Sequence, residues 1–113
     1  MGSRAIRSGN RWTTAVAHKL RFHVAIPDDL INALDYYDTI SNALGNRFRE
    51  NVERRLDDIA SHPEAFPFDE APIRFAKVDR FPQLIFFAVE SEVVQILAIV
   101  HGASDPEKWR TRI

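Results

Sequence analysis

Residues 83–101, QLIFFAVESEVVQILAIVH, decide the fold of this chain. They contain two runs that are apolar on both faces, separated by a short acidic connection, and this pattern is typical of neighbouring buried strands. We therefore predict strands at residues 83–89 and 93–101 in the centre of an antiparallel sheet. A further strand at residues 72–78 is predicted to join them through a turn at residues 79–82.

Two amphipathic helices are predicted upstream of these strands. Residues 21–26 alternate apolar and polar side chains and predict a half-buried strand, after which Pro27 and two aspartates suit the first turn of a helix. The buried stripe of this first helix is predicted to be Leu30, Ala33, Leu34, Tyr37 and Ile40. Ser41 or Asn42 is the predicted N-cap of a second helix, whose stripe is Leu44, Phe48, Val52, Leu56 and Ile59.

The short link between the two helices predicts an antiparallel hairpin. The opposite side of the second helix is interpreted as a solvated charged face, formed by Arg47, Glu50, Arg54, Asp57 and Asp58. Residues 62–72 contain three prolines and predict a surface loop. The sequence thus predicts an α+β fold, in which an N-terminal strand and the hairpin pack on a curled antiparallel sheet of about four strands. The other face of that sheet is expected to be open to another molecule.

The composition is typical of one globular domain, with 113 residues, 45% of them hydrophobic and 27% charged. Residues 1–20 are interpreted as a mobile basic extension, with contact to a partner as the alternative, and residues 21–113 as the domain. The absence of cysteine excludes disulfides and thiolate metal sites and favours a cytoplasmic location. No apolar run reaches the roughly 18 residues of a membrane span, so no membrane partner is expected.

The charges are unevenly distributed, although the net charge is only -1. Residues 1–26 carry five basic and no acidic side chains. Residues 27–71 carry four basic and eleven acidic side chains, and residues 72–113 carry six basic and five acidic ones. Domains that hold nucleic acid through its phosphates are usually strongly basic. We therefore expect no direct DNA binding by this chain alone, and the charge favours a protein target over RNA.

Four polar side chains near the ends of the predicted strands are candidate catalytic residues, namely Arg74, Lys77, Arg80 and His101. A basic residue could stabilise a phosphoryl oxyanion and the histidine could transfer a proton, which together would suit metal-free RNA cleavage. The odd spacing of Arg74 and Lys77 predicts opposite faces of the sheet, so solvated edge charges are the alternative. The four histidines are scattered and the glycines form no phosphate loop, so neither a metal nor a cofactor is expected.

Three aromatic residues, Tyr36, Phe66 and Phe68, are candidates for partner binding. Tyr36 and Tyr37 lie about 100° apart on the first helix, so only one of them can face the core squarely. Phe66 and Phe68 lie in the proline-rich loop, where they either cover an edge of the core or frame a groove for a partner segment. Trp109 is expected to anchor the C-terminal turn against the domain.

Several segments of the chain together resemble one known family. They are DRFPQLIFF at residues 79–87, ILAIVHG at residues 96–102 with Asp105, Pro106 and Trp109 after it, LGNRF at residues 44–48, and His62-Pro63. In this order and spacing they resemble the RelE/ParE family of toxins from bacterial type II toxin-antitoxin modules, over residues 21–109.

The resemblance implies a ParE-like toxin that inhibits growth by binding a protein target, DNA gyrase in the best-known branch. It also implies neutralisation by a cognate antitoxin and a role in plasmid stabilisation, and it adds Arg80 and Gln83 to the partner surface. One alternative is a ribosome-dependent mRNA endonuclease of the RelE type that uses the four catalytic candidates. Another alternative is a degenerate, non-toxic member that only binds antitoxin.

This chain differs from the family pattern at four positions. The branch commonly has an aromatic residue, a tyrosine and two basic residues where this chain has Gln83, Phe87, Ala103 and Ser104. If those positions serve the target, the differences imply a changed target surface or a loss of toxicity.

Overall fold

A computed structural model describes residues 17–112, so residue 113 and residues 1–16, which form most of the predicted extension, lie outside the described residues. The elements are, in chain order, β1 (Lys19–Phe22), α1 (Ile26–Ile40), α2 (Asn42–Ser61), a single 3₁₀ turn (Pro63–Ala65), β2 (Phe68–Glu70), β3 (Ile73–Lys77), β4 (Gln83–Glu90), β5 (Val93–His101) and α3 (Glu107–Arg110). The five strands form one sheet in the order β1-β5-β4-β3-β2. The predicted α+β architecture, with a helix hairpin packed on a sheet, is confirmed.

The first strand is shorter than predicted and lies nearer the N-terminus. It ends at Phe22 because His23 turns the chain towards α1: the backbone N–H of Ala25 donates to His23 Nδ1 at 3.0 Å, and that of Ile26 donates to the His23 carbonyl at 3.0 Å. Val24 lies in this turn with 86% of its surface exposed, so the alternating pattern of residues 21–26 did not indicate a strand throughout. The strand also pairs in parallel with β5, whereas an antiparallel sheet was predicted.

The segment predicted to be a loop contains β2, a strand that was not predicted. β2 pairs antiparallel with β3, with an irregularity between Phe68 and Glu70. All three residues of β2 are exposed, so the hydrophobic pattern carries no signal for this strand. The sheet therefore has five strands where about four were predicted.

The helix predictions hold except at the end of α1. Ser41 caps α2, since its hydroxyl accepts a hydrogen bond from the Leu44 N–H at 3.0 Å. Tyr37 of α1 and three residues of the α2 stripe are buried, with the other predicted α2 positions partly buried against them. Ile40, the last residue of α1, is by contrast 59% exposed.

The hairpin covers one face of the sheet with a core that includes three aromatic rings. The rings of Tyr37, Phe48 and Phe81 lie 4.9 to 5.1 Å apart between centroids. Ile85 and Phe87 of β4 are buried in the same cluster. Because Phe81 belongs to the turn between β3 and β4, this cluster fixes the turn against both helices.

The other face of the sheet is partly covered by the chain itself, so the prediction of an open face is wrong at its centre. Trp109 of α3 is buried and stacks on Phe86 of β4, with 4.1 Å between ring centroids and 24° between ring planes. This confirms the expected anchoring of the C-terminal turn. The row of Phe75, Leu84 and Val100 remains only partly buried beside this cover.

An ion pair between Asp29 and Arg112 joins α1 to the C-terminal segment. Two guanidinium nitrogens of Arg112 donate to the Asp29 carboxylate at 2.8 and 3.0 Å, and the side chains are 17% and 8% exposed. The pair also binds the backbone of β5 beyond the end of β1: Asp29 accepts from the Ile99 N–H at 3.0 Å, and Arg112 donates to the Leu97 carbonyl at 3.0 Å. It thereby satisfies polar groups that β1 does not reach.

The same contacts keep the guanidinium charged. Its hydrogen bonds to Asp29 raise the pKa of Arg112 above the ordinary value, against the opposing effect of burial. A raised folded-state pKa stabilises the fold at every pH below the ordinary arginine pKa. The contribution of this group is therefore constant through the neutral range.

Replacing Asp29 by asparagine should lower the free energy of unfolding by about 3 kcal/mol, because Arg112 would remain buried without its carboxylate. Urea unfolding at neutral pH measures the change. Asp58→Asn is the matched control, since Asp58 pairs with Arg55 on the surface of α2 at 3.1 Å, and an exposed pair contributes less than about 1 kcal/mol. Equal losses in the two variants would contradict the structural role of the Asp29–Arg112 pair.

Candidate functional site

The turn between β3 and β4 holds an arginine in an unfavourable backbone conformation. Phe81 N–H donates to the Val78 carbonyl at 3.3 Å, so Asp79 and Arg80 are the central residues of the turn. Arg80 has a φ of 68°, in the left-handed region that glycine or asparagine usually occupies. An arginine there costs about 1 kcal/mol, while its side chain is 79% exposed.

A buried asparagine of α2 holds this turn through a hydrogen bond to its backbone. Asn51 is 6% exposed, and its Nδ2 donates to the Asp79 carbonyl at 2.9 Å. Its Oδ1 accepts a hydrogen bond from Arg54 at 3.3 Å. Asn51 was not among the predicted buried residues, although its position three residues after Phe48 of the buried stripe indicates that a polar side chain enters the core.

An open cleft of about 440 Å³ lies between α2 and this turn. We call it the arginine cleft, and its lining side chains are Leu44, Arg47, Glu50, Asn51, Arg54, Asp79, Arg80 and Phe81. Three of them are cationic and two are anionic. Arg47, Glu50 and Arg54 were predicted to form a solvated face. The turn that makes this face one wall of a cleft is distant in sequence, so no local pattern predicts the cleft.

The four catalytic candidates do not converge on one site. Arg74 extends from β3 towards the 3₁₀ turn, where its guanidinium donates to the Phe66 carbonyl at 2.6 Å and lies 3.9 Å from the centroid of the Phe68 ring. Arg74 pairs in register with Phe87, which is buried under the helices, whereas Lys77 pairs with Leu84, which packs in the cluster on the other face. The predicted opposite orientation of Arg74 and Lys77 is confirmed.

The remaining two candidates also have separate surroundings. Lys77 Nζ donates to the neighbouring Val78 carbonyl at 3.2 Å. His101 is exposed at the end of β5, and its Nδ1 accepts a hydrogen bond from the Ala103 N–H at 2.9 Å. Arg80 lies at the tip of its turn beside Asp79, at 3.9 Å. None of these four described residues forms a hydrogen bond with the side chain of another.

The candidate partner residues divide into exposed and buried groups. Tyr36 and Phe68 are 64% and 50% exposed, so both are accessible. Phe66 packs edge-on against Phe87 at 5.8 Å, so it covers an edge of the core. Gln83 is buried, and its Oε1 accepts a hydrogen bond from the Tyr37 hydroxyl at 3.1 Å.

The positions that differ from the family pattern also divide by burial. Gln83 and Phe87 lie in the core under the helices, whereas Ala103 is exposed and Ser104 is partly buried in the turn after β5. Only the last two can present a changed side chain to a partner without repacking of the core.

Residues 17–112 contain no group of three His, Asp or Glu side chains arranged to hold a metal ion. Over the same range, no helix is both long enough and apolar enough to cross a membrane.

Comparison with known proteins identifies the family. The sequence model described as the ParE toxin of type II toxin-antitoxin system, parDE, matches residues 20–106, which is most of the chain. The chain belongs to the ParE family of toxins. No curated protein is significantly similar to it in sequence.

A solved structure supports the ParE fold. The chain is similar to a protein of the chromosomal ParDE TA system from P. aeruginosa, with a TM-score of 0.66 and 17% sequence identity. The match covers 75% of this chain and 96% of that chain. The family model ends at Pro106, so the α3 residue Trp109 that covers the second face of the sheet lies beyond the matched range.

Replacing Tyr37 by phenylalanine should lower the free energy of unfolding by about 1 to 3 kcal/mol, because Gln83 Oε1 would be buried without a donor. Thermal or urea unfolding measures the loss. Tyr36→Phe is the matched control, since that neighbouring ring is exposed, and surface changes of this kind stay within about 0.5 kcal/mol. Adding Gln83→Leu to Tyr37→Phe should recover part of the loss, and a Tyr37→Phe variant as stable as the control would contradict the structural role of Gln83.

Proposed function

We propose that this ParE-family chain is the toxin of a type II toxin-antitoxin module and arrests growth in the cytoplasm by binding a protein target. The proposal includes a gyrase-like target and neutralisation by a cognate antitoxin. Its main support is the family match over residues 20–106. The fold similarity to a protein of a ParDE TA system agrees with it.

The geometry of the candidate residues favours binding over catalysis. Proton transfer and oxyanion stabilisation need groups held around one reacting atom, within about 3 Å of their partners. Arg74 instead holds the segment before β2, and Lys77 extends from the opposite face of the sheet. A net charge of -1 also provides little of the phosphate attraction that RNA binding requires.

The surfaces available to a partner lie at the rim of the domain. Tyr36 is exposed on α1, Phe68 is exposed on β2, and β2 is one of the two outer strands of the sheet. An outer strand can receive an extended segment through its unpaired backbone groups. The exposed face of α1 and the outer strand together support binding of a partner that wraps around the domain.

Induced expression of the chain in a bacterium that lacks the antitoxin should stop growth, and co-expression of the small protein encoded next to it should restore growth. Colony counts after induction measure the first effect, and co-purification of the two proteins measures the second. The Tyr37→Phe, Asp29→Asn double variant is the control for folding, since loss of the fold should abolish arrest. Unimpaired growth with a folded protein would contradict the proposal and favour a non-toxic member of the family.

The target is tested separately with purified protein. Inhibition of DNA supercoiling by gyrase is the expected result, because the proposal places the effect on a protein. The alternative, an endonuclease, is tested in a translation extract. Transcript cleavage by the chain that is lost in both the Arg80→Ala and the His101→Ala variant would contradict the binding mechanism and favour an endonuclease. Neither inhibition nor cleavage, in a protein that arrests growth, would contradict the gyrase-like target alone.

A further inference from the structure

We infer that the arginine cleft binds an acidic, amphipathic segment of a protein partner, with the side chain of Arg80 as its main anion contact. The inference rests on the proposed function, because it assigns to this cleft a part of the antitoxin-binding surface. It is carried by three observations in the cleft: the backbone of Arg80, the unpaired arginines around it, and the apolar residues at its base.

The backbone of Arg80 holds an exposed cationic side chain at the cleft in a conformation that lowers stability. A turn with a positive φ at its third residue is most stable with glycine or asparagine, yet this turn has an arginine at 68°. Asn51 and the Phe81 ring hold the turn in place on both sides of Arg80. The fold therefore keeps an unfavourable residue where its guanidinium is exposed at the mouth of a cleft.

The arginines of the cleft have little internal neutralisation. Among residues 17–112, Arg47 and Arg54 form no salt bridge, and Arg80 approaches only its neighbour Asp79, at 3.9 Å. Arg55, one residue after Arg54, does form an ion pair within α2. Arg47 and Arg54 are therefore available for carboxylates of another molecule.

The base of the cleft suits a peptide better than a nucleic acid. The partly buried Leu44 provides apolar contact for one side chain of a ligand, and the buried Phe81 also lines the cleft. Glu50 and Asp79 also line the cleft, so a peptide whose carboxylates are spaced apart fits it better than a chain of closely spaced phosphates. A segment with glutamates flanking an apolar residue satisfies the arginines and the apolar base together, and a volume of about 440 Å³ accommodates a few side chains.

The test uses the full chain and two synthetic peptides with leucines at helical spacing, one with glutamates between them and one with glutamines in the same places. The glutamate peptide should bind more tightly, and its complex should shift the backbone amide resonances of Leu44, Asn51 and Arg80. Isothermal titration and NMR measure these effects. Affinity should fall as salt is raised, because the contacts are exposed ion pairs.

Three variants locate the site. Arg80→Asn keeps a residue that tolerates the positive φ and should weaken binding of the glutamate peptide about threefold to fivefold without lowering Tm. Arg47→Gln should weaken it by a similar factor. Arg49→Gln is the matched control, since Arg49 lies on the same helix, contacts Asn46 at 3.3 Å and does not line the cleft.

Three results would overturn the inference: equal binding of the two peptides, a loss with Arg49→Gln equal to that with Arg80→Asn, or tighter binding of a single-stranded RNA that the same variants abolish. These measurements require neither toxicity nor an antitoxin. If the chain arrests growth but does not bind the glutamate peptide, the inference about the arginine cleft is overturned and the proposed function stands. If the chain binds the glutamate peptide but does not arrest growth, the proposed function is overturned and the inference about the cleft stands.

Discussion

The apolar side chains on both faces of β4 and β5 impose the constraint on which the rest of the structure depends. Each face must be removed from water, and burial of one large apolar side chain contributes about 2 kcal/mol. The helix hairpin supplies one cover through Phe48, Val52 and Ile59, and α3 supplies the other through Trp109. Burial of the sheet therefore requires the helix hairpin, which precedes β4 and β5 in the sequence, and α3, which follows them.

A bulge in β5 lies where these two covers are joined. Phe86 pairs with Ala98 and Phe87 pairs with Ile96, so Leu97 is an extra residue in β5. β1 ends opposite Ile96, and the Asp29–Arg112 pair binds the backbone on that edge at Leu97 and Ile99. One ion pair thus connects the helix layer, the sheet and the C-terminal segment. It lies where the pairing of β1 with β5 ends.

The sequence predicted the elements whose signal is local and missed those that depend on distant contacts. The stripe of α2 and the strands β4 and β5 follow from periodicity within a few residues, and the structure confirms them. β2 has three exposed residues and exists only because β3 pairs with it. The Asp29–Arg112 pair joins residues 83 positions apart, so no local pattern indicates it. Arg47 and Arg54 likewise have the spacing of an ordinary solvated helix face, and only the turn at Arg80 distinguishes them.

The cover provided by α3 changes where a partner can bind. A sheet with one bare face would offer its centre, but Trp109 occupies that place and lies beyond the range that the family model matches. The accessible surfaces are peripheral and include the outer strand β2, the exposed side of α1 and the turn that carries Arg80. Of these, only the turn combines a rigid support with an unfavourable residue, because Asn51 and Phe81 fix its backbone while the Arg80 side chain extends into solvent. Folding alone would favour glycine or asparagine at that position, so the arginine is better explained by contact with another molecule than by the stability of the domain.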